Sequence, residues 1–189
     1  MKKITQLVVF SISTFGYFSV FAQSQDDMKA MQAYMMPGPI HKMLAKSSGT
    51  WTAAITMWMT PGGAPANMTG EAKSEMILGG RYLKSTNTGN MMGMPFEGVS
   101  ITGYDNAKKT FVNSWIDNMG TGMMYLEGSW DDQNKGIIFK GKVVDPATGN
   151  DLPVREIVKF PDDNSQIMEM YMTANGNEFK TMEIKFTRK

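Results

Sequence analysis

From Gly49 onward the chain alternates between apolar and polar positions in short runs, and clusters of turn-forming residues cut the runs apart. Met168-Glu169-Met170-Tyr171-Met172 and Met182-Glu183-Ile184-Lys185-Phe186 show the period most clearly. A repeat of two sends alternate side chains to opposite faces, which describes a β-strand with one face packed and the other wet. The separators are Pro61-Gly62-Gly63, Gly79-Gly80, Asn87-Thr88-Gly89-Asn90, Asp105-Asn106, Asn118-Met119-Gly120, Asp131-Asp132-Gln133-Asn134, Asp145-Pro146-Ala147-Thr148-Gly149, Pro161-Asp162-Asp163-Asn164 and Asn175-Gly176. Gly, Pro, Asn and Asp dominate them because these residues supply the backbone angles of tight turns. Nine turns predict ten strands, the first opening at Gly49-Thr50-Trp51 and running to Met59. Connections this short join only antiparallel neighbours in up-and-down order, and a long sheet of that kind hides its edges by closing on itself. The expectation is an all-β, antiparallel up-and-down barrel over residues 49–189. A two-sheet sandwich is the competing arrangement, but its Greek-key crossings need a long connection and none follows Trp51.

Ahead of Gly49 the period changes. Ser24 with Asp27 three residues on makes a capping pattern, and Met28, Met31 and Met35 recur at helical spacing until Pro37-Gly38-Pro39 stops the run. Ile40, Met43 and Leu44 share one face of a second short helix, suited to lie as a plug across one end of the barrel. Residues 23–48 therefore read as a helical segment and plug. Further back, Lys2 and Lys3 precede an apolar stretch from Leu7 to Phe21 and a small Ala22, the layout of a secretory signal peptide over residues 1–22. The apolar run falls short of a bilayer span and no stop-transfer charges follow it. The mature chain is expected to be exported, periplasmic or secreted, with no integral membrane span.

Composition narrows the function classes. Taking residues 1–22 from 189 leaves 167, a length that suits one domain with a sizeable core. Losing Lys2 and Lys3 takes the 19 Lys+Arg to 17 against 18 Asp+Glu, a net charge of −1 that favours neither nucleic acid nor an anionic surface. No cysteine is present, so no disulfide and no thiol nucleophile exists, and any serine–histidine relay would have to use the single His41. No glycine-rich phosphate loop follows a strand. His41 alone cannot build a zinc site or a triad, and it reads as a partly exposed residue at the start of the plug helix. Asp131-Asp132-Gln133-Asn134-Lys135-Gly136 shares only its composition with a calcium loop, since Lys142 stands where a glutamate is required. Glu156 with Glu169 or Glu183 would serve acid/base chemistry if they faced inward together, but their alternation fits solvated outer positions better. The chain reads as non-catalytic, with no cofactor.

Methionine is the compositional oddity, with 20 in the chain. Met57/Met59, Met91/Met92/Met94, Met119/Met123/Met124 and Met168/Met170/Met172 place several thioethers on single strand faces. Three readings follow: a mouldable wall around an apolar guest, a soft Cu(I) or Ag(I) site, and plain core filling in a structural or interaction module. Under the first, Met57, Trp115, Asp117, Met124, Met168 and Met170 are the candidate ligand-binding residues, with Arg81 a candidate anchor for an anionic head group at the barrel mouth. Parity puts Asn113, Trp115 and Asp117 on one face of the fifth strand and Val112, Ser114 and Ile116 on the other, and leaves open which faces inward.

Two sets of residues resemble known families. Gly49-Thr50-Trp51 on the first strand, with Arg188 two residues after Phe186 on the last, resembles the calycin signature of lipocalins and fatty-acid-binding proteins. That resemblance implies an arginine packed across the Trp51 indole at the closed end, tying last strand to first by cation–π attraction. Six blocks cover most of the mature chain: Pro37-Gly38-Pro39-Ile40-His41, Leu78-Gly79-Gly80-Arg81-Tyr82-Leu83, Gly93-Met94-Pro95-Phe96-Glu97-Gly98, Gly103-Tyr104-Asp105-Asn106, Trp115-Ile116-Asp117-Asn118-Met119-Gly120-Thr121-Gly122 and Met168-Glu169-Met170-Tyr171. They resemble the bacterial family known as domain of unknown function 1579, which implies a calycin-like barrel with no assigned activity. The Gly-Thr-Trp start is also similar to nitrobindin-type barrels, which imply haem held by a histidine late in the barrel. His41 lies ahead of the first strand, so haem held in that way is not expected. The combined reading is an exported barrel whose interior binds a small, largely apolar molecule.

Overall fold

The computed structural model describes residues 24–91, 93–174 and 176–189. The expected signal peptide lies outside the described residues. Two helices, α1 (Gln25–Met35) and α2 (Pro39–Ala45), precede ten strands: β1 (Gly49–Met57), β2 (Ala66–Ile77), β3 (Tyr82–Met91), β4 (Met94–Asp105), β5 (Thr110–Asp117), β6 (Met124–Asp131), β7 (Gly136–Val144), β8 (Asp151–Asp162), β9 (Ser165–Ala174) and β10 (Asn177–Arg188). Each strand pairs antiparallel with its sequence neighbours, and β1 pairs with β10, so the sheet closes as an up-and-down barrel. Among the described residues no helix is long and apolar enough to cross a membrane.

One predicted turn is displaced. Asn87-Thr88-Gly89-Asn90 lies inside β3, paired with Pro95 to Gly98 of β4. The chain turns instead at Gly93, whose φ of 86° is in the left-handed region and whose amide donates to Asn90 Oδ1 at 2.8 Å. The polar run resembled a loop because this side of the barrel interior is itself polar.

The ends of the barrel differ. Leu44 of α2 is 1% exposed and joins Phe111, Leu126, Ile137, Phe139 and Val154 in the packed core, with Ile40 and Met43 against it. At the same end Arg188 spreads over Trp51, its Cζ 4.2 Å from the ring centroid. The guanidinium donates to the carbonyls of Asp163 (2.9 Å), Ser48 (2.7 Å) and Lys46 (2.6 Å). Gly49 permits this approach: its φ is 131°, and a Cβ there would sit 2.7 Å from the Arg188 Nη1. Trp51 in turn donates its indole N–H to the Ser47 carbonyl at 3.0 Å.

His41 is buried rather than partly exposed. It accepts a hydrogen bond at Nδ1 from the Gly38 amide (3.1 Å) and meets Tyr104 edge-on. Burial lowers its pKa, opposed by the Tyr104 carbonyl and assisted by the charge of Arg81. The methionine face of α1 does not pack: Met28, Met31 and Met35 are exposed, and the helix is held through its C-terminal carbonyls, to which Asn106 donates.

Candidate functional site

Inward-facing side chains of the strands enclose a cavity of about 270 Å³, near the small end of ligand pockets. Alternation decides its lining. Strands β8, β9, β10 and β1 contribute Val158, Phe160, Met168, Met170, Met182, Ile184, Ile55 and Met57. The opposite arc, β2 to β5, contributes Ser74, Ser85, Asn87, Ser100, Thr102 and Asn113. The arc from β8 to β1 is therefore mainly thioether and hydrocarbon, interrupted by Glu156, whereas the β2–β5 arc sets hydroxyls and amides among Met68, Leu83, Phe96 and Trp115.

The polar half is largely satisfied by itself, as buried polar groups must be. Ser74 Oγ and Ser85 Oγ are 3.0 Å apart, and Asn113 Nδ2 donates to Thr102 Oγ1 at 2.7 Å. At the floor Gln166 Nε2 donates to Ser47 Oγ at 2.9 Å. Asn113, Trp115 and Asp117 form the inward face of β5, while Ile116 is exposed. The Trp115 indole N–H donates to Asp117 Oδ2 at 2.7 Å, and Asp117 Oδ1 accepts from the Met119 amide at 2.9 Å. Phe96 stacks on Trp115 with centroids 6.3 Å apart and planes at 19°. Gly98 makes room for this indole, since a Cβ there would lie 2.4 Å from it.

Of the residues singled out by sequence, Met57, Trp115, Asp117, Met124, Met168 and Met170 come together in the cavity wall. Arg81 does not. It sits between β2 and β3 at the plugged end, where its guanidinium donates to the carbonyls of Leu78 (3.1 Å) and Met35 (2.6 Å). Its charge is thereby used to tie α1 to the barrel, and its placement as a head-group anchor at the mouth is corrected.

The glutamates divide by parity. Ile157 pairs with Glu169, and Glu169 with Glu183, on the outer face. There Glu169 meets Lys159 (2.8 Å) and Lys180 (2.7 Å), and Lys180 reaches Glu183 (2.8 Å). Burial alone would raise the Glu169 pKa, but the two ammonium groups hold it below the usual carboxylate value. Glu156 points the other way, 8% exposed, into the cavity. It makes no hydrogen bond or ion pair with any described residue, and its carboxyl is open to the cavity. Desolvation with nothing to offset it pushes its pKa up to about 7. Sequence reasoning treated Glu156 only as half of a carboxylate pair. Its signal lay in the parity of Val154, Glu156, Val158 and Phe160, one acid among apolar residues on a single strand face.

Residues 36–188 match the family described as protein of unknown function (DUF1579). The chain belongs to this family. Among solved structures, the chain resembles Rv2717c from M. tuberculosis, with a TM-score of 0.60 at 13% identity over 82% of this chain and 99% of that one. It also resembles the S-type phycobiliprotein lyase CPES from Guillardia theta, with a TM-score of 0.57 at 6% identity over 84% of this chain and 96% of that one. At such identities the likeness is one of fold alone, that of the closed antiparallel barrel. No curated protein matches the chain.

Proposed function

We propose that this protein is an exported, non-catalytic carrier or sensor that holds a small, largely apolar molecule inside its barrel. The observation that carries the reading is the enclosed cavity, in which polarizable methionines face an arc that carries hydroxyls and amides among apolar side chains. Thioether chains adjust to irregular apolar shapes, while fixed polar groups orient a guest. Met57, Met124, Met168 and Met170 would contact the apolar body, and Trp115 with Asp117 would set its orientation at the mouth. The test is titration with the neutral fluorophore N-phenyl-1-naphthylamine. Saturable enhancement in the wild type, abolished in a folded Ser100→Phe variant that fills the cavity, is expected. Equal binding by that variant would place the probe outside the barrel and refute the reading.

A second reading has one specific observation in its favour. Met170, Met182 and Met57 stand in direct cross-strand register on β9, β10 and β1, the arrangement that brings thioethers toward one soft cation such as Cu(I) or Ag(I). Metal titration followed by mass spectrometry separates the two.

A further inference from the structure

Among the described residues that line the cavity, Glu156 is the ionisable one that its neighbours leave without a hydrogen bond or ion pair. Phe139 of β7 and Met170 of β9 flank it in register, and Val154 and Val158 flank it along β8. The row continues through Met182 to Met57, so the carboxyl stands at the edge of the thioether wall. Its oxygens have no donor, whereas Ser74, Ser85, Thr102, Asn113 and Asp117 are bonded to one another or to their surroundings. Among the described residues no Lys, Arg or His lines the cavity. The other acids at its wall are Asp117, which accepts from Trp115, and Glu71 at its margin, which pairs with Lys189. The described lining thus offers negative charge and no positive charge.

We propose, building on the pocket reading above, that the barrel selects an organic ammonium compound, a cationic nitrogen on an apolar body, with Glu156 as its charge partner. An ammonium entering the cavity supplies the missing donors and counter-charge, and a charge-assisted hydrogen bond in low dielectric is among the stronger ones a site can offer. Methionine and aromatic surfaces receive the apolar body without competing for the charge. A carboxylate-bearing lipid would meet like charge at Glu156 and find no cation to replace its water. The selection is the reverse of that expected from an arginine-anchored pocket.

The pH dependence has a definite sign. Uncharged Glu156 cannot pair with a cation, so binding weakens as pH falls below the free-protein pKa of about 7, by roughly tenfold for each further unit. Facing groups do not counter this: β7 and β9 present Phe139 and Met170, and Asp117 and Glu71 carry partners of their own.

The experiment displaces N-phenyl-1-naphthylamine from the mature protein with octylamine, octanol and octanoate, between pH 5.5 and 8. Octylamine is expected to act at about tenfold lower concentration than octanol at pH 8, the ratio that one charged hydrogen bond supports. Octanoate should be weakest, and the octylamine advantage should fade toward pH 5.5. Glu156→Gln should still bind the probe while treating octylamine and octanol alike. Equal displacement by the three compounds, or preference for octanoate, would overturn the ammonium assignment and leave the pocket reading standing. Failure of the probe to enter the folded wild type would overturn both. Should Glu156→Gln fail to fold, the wild-type pH profile decides, and a flat profile overturns the proposal.

Discussion

Replacing Arg188 with alanine removes the clamp that joins the last strand to the first. The guanidinium covers Trp51, itself 2% exposed, and donates to three carbonyls. The bonds to Lys46 and Asp163 lie at exposed positions where water can replace the donor, so they count for little. The bond to Ser48 is part-buried, and a hydrogen bond from a charged donor there contributes about 1.5–3 kcal/mol. Cation–π attraction adds about 0.5–1 kcal/mol. The variant should lose roughly 2–4 kcal/mol, which for a domain of this size lowers Tm by about 6–11 °C. Arg188→Lys keeps the charge but cannot bridge three carbonyls with a planar fork, so it should recover less than half of the loss. Thermal unfolding followed by circular dichroism reads both variants, with probe binding at low temperature as the control for an intact cavity. If both melted with the wild type, the clamp would contribute nothing and the reasoning would fail.

Other outcomes follow from the same geometry. Because the folded-state pKa of Glu156 is raised to about 7 from 4.5, the stability it permits when protonated is fully present below pH 4.5 and is lost as pH rises through about 7. The wild type should therefore lose about 3 kcal/mol relative to Glu156→Gln between pH 4.5 and 8, measured by urea unfolding; parallel curves would contradict the burial of an unpaired carboxyl. His41, whose pKa is lowered by burial, acts in the opposite direction, but it is present in both proteins and cancels. Arg81→Ala should leave probe affinity within about twofold while speeding proteolysis within residues 25–36, since Arg81 grips the Met35 carbonyl rather than the cavity. A tenfold loss of probe affinity in that variant would mean that its side chain reaches the interior.

Alternation and turn chemistry made the barrel legible, because period two and Gly/Pro/Asn/Asp clusters are local consequences of a meander sheet. The same rule failed at Asn87 to Asn90, where polar residues belong to a strand whose inner face is wet with hydroxyls and amides. Parity could group Trp115 with Asn113 and Asp117, but only register around the closed sheet turned that face inward. Arg81 looked free because its partners are backbone carbonyls, of Leu78 in its own turn and of Met35 in a helix 46 residues earlier, which leave no trace in side-chain pattern. Glu156 was visible as an acid between Val154 and Val158. Its isolation was not, since that depends on neighbouring strands presenting Phe139 and Met170 instead of a cation.

The central claim, a small molecule held in the barrel, is tested most directly by native mass spectrometry of the protein purified gently from the cells that make it and compared with its denatured mass. An organic adduct that leaves on denaturation is the predicted result. A bare mass for the folded protein throughout such a purification, or an increment that fits only copper or silver, would contradict it.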